Sequence, residues 1–455
     1  MKKLLLGLVA ALSVSVYSAD GIDNSFNKWV LDQSANTLSY KGWVFNTAGS
    51  MDALKITSVS SYVAEGKTDI DFSTIYEDTG ATVVELGGSL LASYPGKQGN
   101  FVGTVILAPS IETIGINLCV YGGVTNFVFP PNSRLTKIPN QLLGSTGANV
   151  DLSTIPRNIT AIGDAAFNSK NVFGELIVPA TCKSIGGSAF NGAGKISIKF
   201  EEGSQLETVG ASAFNTSKIE GEVHFPASLK SIGNRCFAYC SGLTNVTLHK
   251  DSTITSLPEY VFYSTSIKKF PEIPKTVETI GNYAFSSCPQ MAGPVIIPSN
   301  VKSLGNSVFE CCKSLNDIYF ENGCTNIGNN VFSSCHSVTN IVFPKTLKYI
   351  GGGVMVGGAG SNSAQWDAMV AGNIWWQSCP EFGTTDKLFL YCDRYPDRSM
   401  TITNHLSSVQ WEKFAAANPE TFVLPSKGNP VGVWTSSTPE AIVNWGVFPL
   451  VIIIN

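Results

Sequence analysis

Histidine, cysteine and tryptophan are the side chains of this sequence that could take part in catalysis or ligand binding, and histidine is the usual acid–base catalyst. The 455-residue chain has four, at His224, His249, His336 and His405. No GxSxG, HExxH, CxxC or GxxxxGK motif accompanies them. We interpret His224 and His336 as surface or turn residues, and a hydrolase around His405 stays open as an alternative. The expectation is a protein that is not an enzyme, with no catalytic residue and no cofactor.

The 11 cysteines include a regularly spaced series that lies three residues after a recurring phenylalanine. Its members are Cys240, Cys288, Cys312 and Cys335. Other repeats place Lys170, Ala193, Ser217 or Thr265 at this position. The substitutions favour a slot for small residues and buried free thiols. Parallel side chains rarely meet disulfide torsions, and zinc ligands must converge, so we predict no metal site. The candidate disulfide is Cys379 with Cys392.

All eight tryptophans lie outside residues 110–355, and Trp375 and Trp376 are adjacent. Such a pair is a candidate platform on which sugar rings stack, although core packing is the commoner fate of buried aromatic residues. A carbohydrate-binding C-terminal module carried on a stalk of repeats is therefore one alternative function.

Composition and the N-terminus set the compartment. Charged residues make up 14% of the chain and the net charge is −4, so no basic surface for nucleic acid is predicted. Lys2 and Lys3 precede an apolar run and small residues, which indicates a signal peptide over residues 1–19. The closing VFPLVIIIN is too short to span a bilayer. We expect a secreted or cell-surface protein with no membrane span after the signal is removed.

An apolar residue followed by Gly or Pro recurs eleven times, at steps of 23 to 25 residues. The recurring positions are Gly115, Pro139, Gly163, Gly186, Gly210, Gly233, Pro258, Gly281, Gly305, Gly328 and Gly351. A degenerate twelfth unit surrounds Gly87. Short alternating apolar runs such as VHFP and VIIP predict one strand in each repeat. One repeat cannot bury its own apolar face, so the repeats are expected to stack with parallel strands about 4.8 Å apart.

Particular residues are predicted to form the repeated core. Ile280, Phe285, Val295 and Ile297 are expected to be rungs of apolar ladders that link successive repeats. The recurring glycine is interpreted as a tight bend that allows close approach between repeats. Because proline takes this position twice, we also expect the backbone N–H there to be unused by the ladder.

The repeat resembles a known family. LTNVTLHKDSTITSLPEYVFYST, from Leu243, and CPQMAGPVIIPSNVKSLGNSVFECC, from Cys288 to Cys312, are similar to BspA-like, or Treponema pallidum-type, leucine-rich repeats. The resemblance covers roughly residues 80–355. It implies a right-handed solenoid on a secreted or cell-surface bacterial protein, with relatives that act as adhesins, and it supplies no catalytic residues.

The predicted fold is a leucine-rich-repeat solenoid of about 11–12 coils, with parallel β-strands and short turns. Its expected organisation is a signal peptide (1–19), an N-terminal β cap (20–80), the solenoid (81–355) and a small C-terminal α+β cap or module (356–455). KWVLDQSANTLSYKGWVF predicts two strands around a polar turn in the N-terminal cap. LSSVQWEKFAAANPE predicts a short helix in the C-terminal segment, and TFVLP, VGVWT and AIVNWGVFPLVIII predict strands.

The outward positions of the repeat strands are the candidate binding residues. We call them the outward row: Ile106, Val128, Ile177, Lys199, His224, Thr247, Ile296, Tyr319 and Val342. They are expected to form a contiguous, nearly uncharged strip suited to a protein or glycan surface, although strand propensity alone also favours β-branched residues there. The predicted function is an adhesin that binds host extracellular or cell-surface proteins, or glycans. A structural surface protein that contacts only its own copies is a further alternative.

Overall fold

Two short β-strands in most repeats build two parallel ladders, and this arrangement determines the fold. The computed structural model describes residues 28–61, 69–92, 103–338 and 340–351, together with the backbone of six short strands after residue 372. The chain divides into two compact units, Met1–Phe173 and Gly174–Asn455. The predicted signal peptide lies outside the described residues.

The first unit begins with an antiparallel meander that pairs onto the first parallel strands. The two strands predicted around a polar turn are present, and they pair with each other between Val30–Asp32 and Thr37–Tyr40. The strands of this unit are Val30–Asp32, Thr37–Tyr40, Trp43–Ser50, Ala53–Ser61, Ile70–Asp71, Val83–Leu86, Thr104–Ile106, Thr113–Ile114, Asn126–Val128, Lys137–Ile138, Val150–Asp151 and Ala161–Ile162, with Val172–Val178 spanning the division.

The meander joins the parallel ladder through Ala53–Ser61, which pairs in parallel with Val83–Leu86. Val83–Leu86 in turn pairs with Thr113–Ile114, so the degenerate unit around Gly87 belongs to the same ladder as the regular repeats. A short helix, Ile75–Thr79, and two 3-10 turns, Phe72–Thr74 and Leu152–Thr154, complete the described elements of this unit.

Aromatic packing stabilises the start of the first unit. Trp29 is buried and stacks on Tyr40, with ring centroids 4.4 Å apart, and on Phe72 at 5.6 Å. Its indole Nε1–H donates to the backbone oxygen of Asp71 at 2.8 Å. The tryptophan therefore buries its large ring while its one polar hydrogen keeps a partner.

The second unit repeats one pattern with parallel register. A longer strand pairs with its equivalent in the next repeat, and a two-residue strand before each recurring Gly or Pro does the same. Its described strands are Ser184–Ile185, Lys195–Phe200, Thr208–Val209, Lys218–Ile219, Gly221–His224, Ser231–Ile232, Leu243–Thr247, Ser256–Leu257, Thr279–Ile280, Gly293–Ile297, Ser303–Leu304, Leu315–Phe320, Asn326–Ile327, Asn340–Val342, Tyr349–Ile350, Asn373–Trp376, Glu381–Phe382, Met400–Asn404, Gly432–Val433, Ile442–Val443 and Leu450–Ile454.

Parallel pairing continues past residue 355. Asn373–Trp376 pairs in parallel with Asn340–Val342 and with Met400–Asn404, which pairs with Leu450–Ile454. Glu381–Phe382 continues the ladder of two-residue strands. The predicted helix in LSSVQWEKFAAANPE and the strand in TFVLP lie outside the described residues.

The core of the second unit is a column of stacked phenylalanines. Successive rings lie with centroids 5.1 to 5.8 Å apart. The column consists of Phe190, Phe214, Phe237, Phe262, Phe285, Phe309 and Phe332, all buried. Ile280, Val295 and Ile297 are buried beside it, which confirms the predicted apolar ladders. Each ring covers its neighbours in the adjacent repeats, so burial depends on register.

The recurring glycine brings adjacent turns into close contact, as predicted. A Cβ at Gly281 would lie 2.7 Å from Glu259 N and 2.9 Å from the carbonyl carbon of Pro258. The expectation that its N–H is unused is wrong, because Gly281 N–H donates to Leu257 O at 2.8 Å. Gly210, Gly233, Gly305 and Gly328 repeat this hydrogen bond. Proline at 139 and 258 therefore removes one donor from the ladder instead of marking a position without a bond.

Candidate binding surface

The outward row lies on the side of the repeat strands that faces away from the core. Each of its nine residues is exposed or half-buried. In contrast, Val295 and Ile297, which flank Ile296 in the sequence, are buried. This alternation follows from the two-residue period of a strand. Parallel register aligns row members from neighbouring repeats: Ile106 with Val128, Ile177 with Lys199, His224 with Thr247, Ile296 with Tyr319, and Tyr319 with Val342.

The row is not one continuous strip, which corrects the prediction. From Lys199 to Thr247 the repeats are adjacent, because Lys195–Phe200 pairs with Lys218–Ile219, which lies directly before the strand of His224. The row is interrupted between Thr247 and Ile296, because the repeat there lacks the longer of the two strands.

The missing strand has a physical cause. Pro271 removes a backbone donor from the segment where a strand is expected. The preceding Phe270 packs instead against Phe285 and Phe309, with ring centroids 5.2 and 5.5 Å apart. Some pairing to the flanking repeats survives, because Lys268 N–H donates to Thr244 O at 3.0 Å.

The three row members directly before the interruption, Lys199, His224 and Thr247, are polar, so the expectation of a nearly uncharged apolar strip is wrong for these three repeats, whereas Ile106, Val128 and Ile177 further back are apolar. Lys199 Nζ lies 2.6 Å from Glu175 Oε1. His224 Nδ1 lies 3.0 Å from Thr247 Oγ1, and its Nε2 lies 3.3 Å from Glu222 Oε2. Exposed ion pairs of this kind add little stability. Their effect here is to place charge and hydrogen-bonding groups on the surface.

The part after the interruption is apolar and is the candidate binding surface. We call Ile296, Tyr319 and Val342 the apolar segment. The side chains of Ile296 and Tyr319 are 52% and 39% exposed, and Val342 is half-buried. Three successive strands hold them in register. Adjacent exposed apolar side chains on a folded protein are typical of an interaction site.

Two candidate sugar-binding residues lie next in this register. Trp375 pairs with Val342 on one side and with Thr403 on the other, and Trp376 pairs with Asn404. The structure describes only the backbone of these tryptophans. Cys379, Cys392 and His405 lie outside the described residues, so the candidate disulfide and the hydrolase alternative remain predictions.

The cysteine slot holds buried free thiols, as predicted, but it selects for more than size. Cys240, Cys288, Cys312 and Cys335 are buried and free. Each Sγ–H donates to the backbone oxygen of the phenylalanine one repeat earlier, at 2.9 to 3.2 Å. Ser217 makes the same bond to Phe190 O at 2.5 Å. Burial raises the pKa of Cys240 and Cys335, so both thiols keep the proton that they donate.

Within the ranges that the structure describes, no group of three or more His, Cys, Asp or Glu side chains is arranged to hold a metal ion. In the same residues, no helix has the length and apolar character needed to cross a membrane. His336 is half-buried, and burial followed by the charge of Lys313 lowers its pKa.

These features define a class of protein, a parallel-strand β-solenoid of about 11 turns. Residues 160–292 and 255–358 match the model of the BspA type leucine rich repeat region, in six copies. Residues 160–358 are therefore a BspA-type leucine-rich-repeat region, which confirms the resemblance in the sequence. No curated protein matches the chain.

Several solved structures are similar. A leucine rich cell surface protein from Faecalibacterium prausnitzii is 18% identical, with 87% of this chain and 98% of that chain covered and a TM-score of 0.47. The pneumococcal vaccine antigen PcpA is 16% identical, with 84% and 96% covered and a TM-score of 0.46. A leucine-rich repeat protein from Bacteroides ovatus is 18% identical, with 84% and 97% covered and a TM-score of 0.43.

Proposed function

We propose that this protein is a secreted or cell-surface binding protein without enzymatic activity, an adhesin that recognises a host extracellular or cell-surface protein. The observation that carries the proposal is the apolar segment, with Ile296, Tyr319 and Val342 exposed or half-exposed on adjacent strands. The cell-surface location is supported by the predicted signal peptide and by the repeat family.

Strand propensity does not account for the apolar segment. Earlier positions of the row are apolar at Ile106, Val128 and Ile177, but the three nearest ones hold Lys199, His224 and Thr247, and those repeats still form strands. An apolar side chain is therefore not required there for folding. When a partner covers the exposed Ile and Tyr, their apolar surface leaves water. This burial stabilises the complex by about 25 cal/mol for each Å² of apolar area.

The chemistry of the surface favours a protein as the partner. Interfaces have an apolar centre in which aromatic residues are enriched, surrounded by a polar rim. Tyr319 lies between Ile296 and Val342 in the register, and Asp317 and Asn340 are paired on the same two strands. The segment thus provides an aromatic residue flanked by aliphatic ones, and Asp317 lies two residues before Tyr319 on the same strand.

The test uses the full chain without its first 19 residues. Wild-type protein and the variant Ile296→Ser are applied to an array of purified matrix proteins and host cell-surface glycoproteins. Ile106→Ser, an outward-row change in the first unit, is the matched control. We expect the wild type and the control to bind the same protein, and Ile296→Ser to bind it at least about tenfold more weakly, a loss of 1.4 kcal/mol. Equal binding by all three would overturn the proposal.

The alternatives predict different outcomes. A structural surface protein binds nothing on the array, and its own copies associate in sedimentation velocity in a way that Ile296→Ser weakens. A C-terminal carbohydrate module binds glycans, and that binding is lost in Trp375→Ala and kept in Ile296→Ser.

A further inference from the structure

Four tyrosines form a cluster on the turns of three successive repeats in the second unit. They follow the two-residue strands, whereas the outward row lies on the longer strands. We call Tyr239, Tyr260, Tyr263 and Tyr283 the tyrosine cluster. Tyr239 is 51% exposed and the other three are half-buried. The phenylalanine column accounts for the core of these repeats, so the cluster needs a separate explanation.

The rings are arranged against one another and against an arginine. The Arg235 guanidinium carbon lies 4.5 Å from the centroid of the Tyr260 ring. Tyr260 and Tyr283 stack with centroids 4.6 Å apart and planes 7° from parallel. Tyr263 meets Tyr260 edge-on at 5.4 Å and Tyr239 at 5.2 Å. Both faces of the Tyr260 ring are thus covered, by Arg235 and by Tyr283, and the four rings form one connected aromatic cluster.

The backbone at these positions does not favour large side chains. Arg235, Tyr239, Tyr260 and Tyr283 have φ of 58°, 63°, 56° and 56°, in the left-handed region. Bulky residues are rare there, and Asn and other small polar residues are preferred. Most equivalents of Tyr260 and Tyr283 in other repeats are small, namely Asn117, Ala165, Ser188, Ser212, Ser307 and Asn330, whereas Gln141 and Arg235 are larger. Turn geometry therefore gives no reason for aromatic residues in these three repeats.

Hydrogen bonds between adjacent turns hold the cluster in place. Tyr239 N–H donates to Tyr263 O at 2.7 Å. Tyr260 N–H donates to Asn282 O and Tyr283 N–H donates to Asn306 O, both at 2.9 Å. A surface that is already ordered loses little conformational entropy when it binds.

Charges of both signs surround the rings. Arg235 is exposed on one side, and Glu259 directly precedes Tyr260. Burial raises the pKa of Tyr260, and the ring of Tyr283 and the carboxylate of Glu259 add to the shift. Burial also raises the pKa of Tyr263, with Glu310 among the lesser causes. With cation and carboxylates together, the surface offers donors and acceptors but favours neither an anionic nor a cationic ligand.

We propose that the tyrosine cluster binds an uncharged oligosaccharide. Since both faces of Tyr260 are covered, the faces left for a pyranose ring are those of the exposed Tyr239 and of Tyr283. Aromatic faces carry partial negative charge and attract the weakly positive C–H face of a sugar. Sugar hydroxyls both donate and accept, and they find phenol oxygens, guanidinium N–H groups and the Glu259 carboxylate within one surface. This function is additional to protein recognition by the apolar segment and does not depend on it.

The experiment uses the full chain without its first 19 residues and four neutral probes: maltohexaose, cellohexaose, chitohexaose and lacto-N-tetraose. Binding is measured by saturation-transfer NMR and titration calorimetry. Tyr260→Asn and Tyr283→Asn are the test variants, since asparagine occupies the same turn position at Asn330. Tyr319→Asn, in the apolar segment, is the matched control, and Tyr260→Phe keeps the ring without its hydroxyl.

We expect the wild type and Tyr319→Asn to bind at least one probe saturably. The affinity of Tyr260→Phe should stay within a few-fold of the wild-type affinity, and both asparagine test variants should bind about tenfold more weakly. Urea unfolding of the test variants should occur at the same or a higher midpoint, which a structural role for the rings would not allow. The proposal is overturned if no neutral probe binds, if both asparagine variants bind like wild type, or if tyrosine substitution weakens protein binding alone.

Discussion

The phenylalanine column and the outward row both recur through the repeats of the second unit, yet only one keeps its residue type. The column is phenylalanine at every repeat from Phe190 to Phe332. The row changes from Lys199 to His224, then Thr247, Ile296 and Tyr319. A core position must match its neighbours above and below, whereas an outward position touches solvent. The varying row is therefore where repeats can differ in what they recognise, without loss of the fold.

The largest effect should come from breaking the column. Phe285→Ala removes a ring that contacts Phe262, Phe270 and Phe309, with centroids 5.2 to 5.7 Å away. A buried Phe→Ala change costs about 3–5 kcal/mol because it leaves a cavity. We expect urea unfolding followed by circular dichroism to show this loss. A cost below about 1 kcal/mol would mean that the column does not stabilise the stack.

The close approach between turns gives the next largest effect. In Gly281→Ala the new methyl group meets backbone at 2.7 and 2.9 Å, so the turns must separate. Overpacking of this kind costs about 1–3 kcal/mol. Gly147→Ala is the control, because a Cβ at Gly147 meets nothing within 4 Å. The control should be neutral or stabilising by up to about 1 kcal/mol in the same urea titration. Similar destabilisation by both changes would contradict the contact argument.

Substitutions at the cysteine slot should show whether the slot requires a small side chain or a hydrogen-bond donor. In the wild type, Cys312 Sγ lies 3.1 Å from Phe285 O. Cys312→Ser keeps a hydrogen-bond donor at this position, whereas Cys312→Val fills the slot without a donor. We expect valine to destabilise by about 1–2 kcal/mol more than serine, since it leaves a buried carbonyl without this partner. Differential scanning calorimetry of the two variants measures the difference. If valine is the more stable, the slot selects for size alone.

The smallest effect on stability is expected in the outward row. Ile296→Ser changes a side chain that is more than half exposed, so the free energy of unfolding should shift by no more than about 0.5 kcal/mol. Thermal unfolding of wild type and variant checks this. A large loss would indicate that Ile296 belongs to the core and has no special role in binding.

The sequence predicted the repeated core because periodicity directly reports which residues are buried. Ile280, Phe285, Val295 and Ile297 are all buried as predicted. The free, buried thiols of the cysteine series followed from the small residues that replace them in other repeats. Parallel stacking followed from repeats too small to bury their own apolar faces.

The features that the sequence did not predict depend on hydrogen bonds and on single irregular repeats. The ladder of two-residue strands is too short to show alternation, and the donor role of Cys312 depends on where Phe285 O points. The outward row was predicted to be continuous because strand signals occur on both sides of Phe270 and Pro271. The interruption at these two residues depends on where Phe270 packs, which the sequence pattern does not show. The tyrosine cluster could not be predicted, because its members occupy three different positions of the repeat and meet only after stacking; only Tyr260 and Tyr283 are equivalent.

The central claim is that the apolar segment, and no other part of the outward row, recognises a protein partner. The direct measurement is the dissociation constant of the partner found on the array, by surface plasmon resonance, for Ile296→Ser, Tyr319→Ser, Thr247→Ala and Ile106→Ser. The account predicts at least about tenfold weaker binding for the first two and unchanged binding for the last two. Weaker binding in Thr247→Ala or Ile106→Ser, with Ile296→Ser and Tyr319→Ser unchanged, would contradict it.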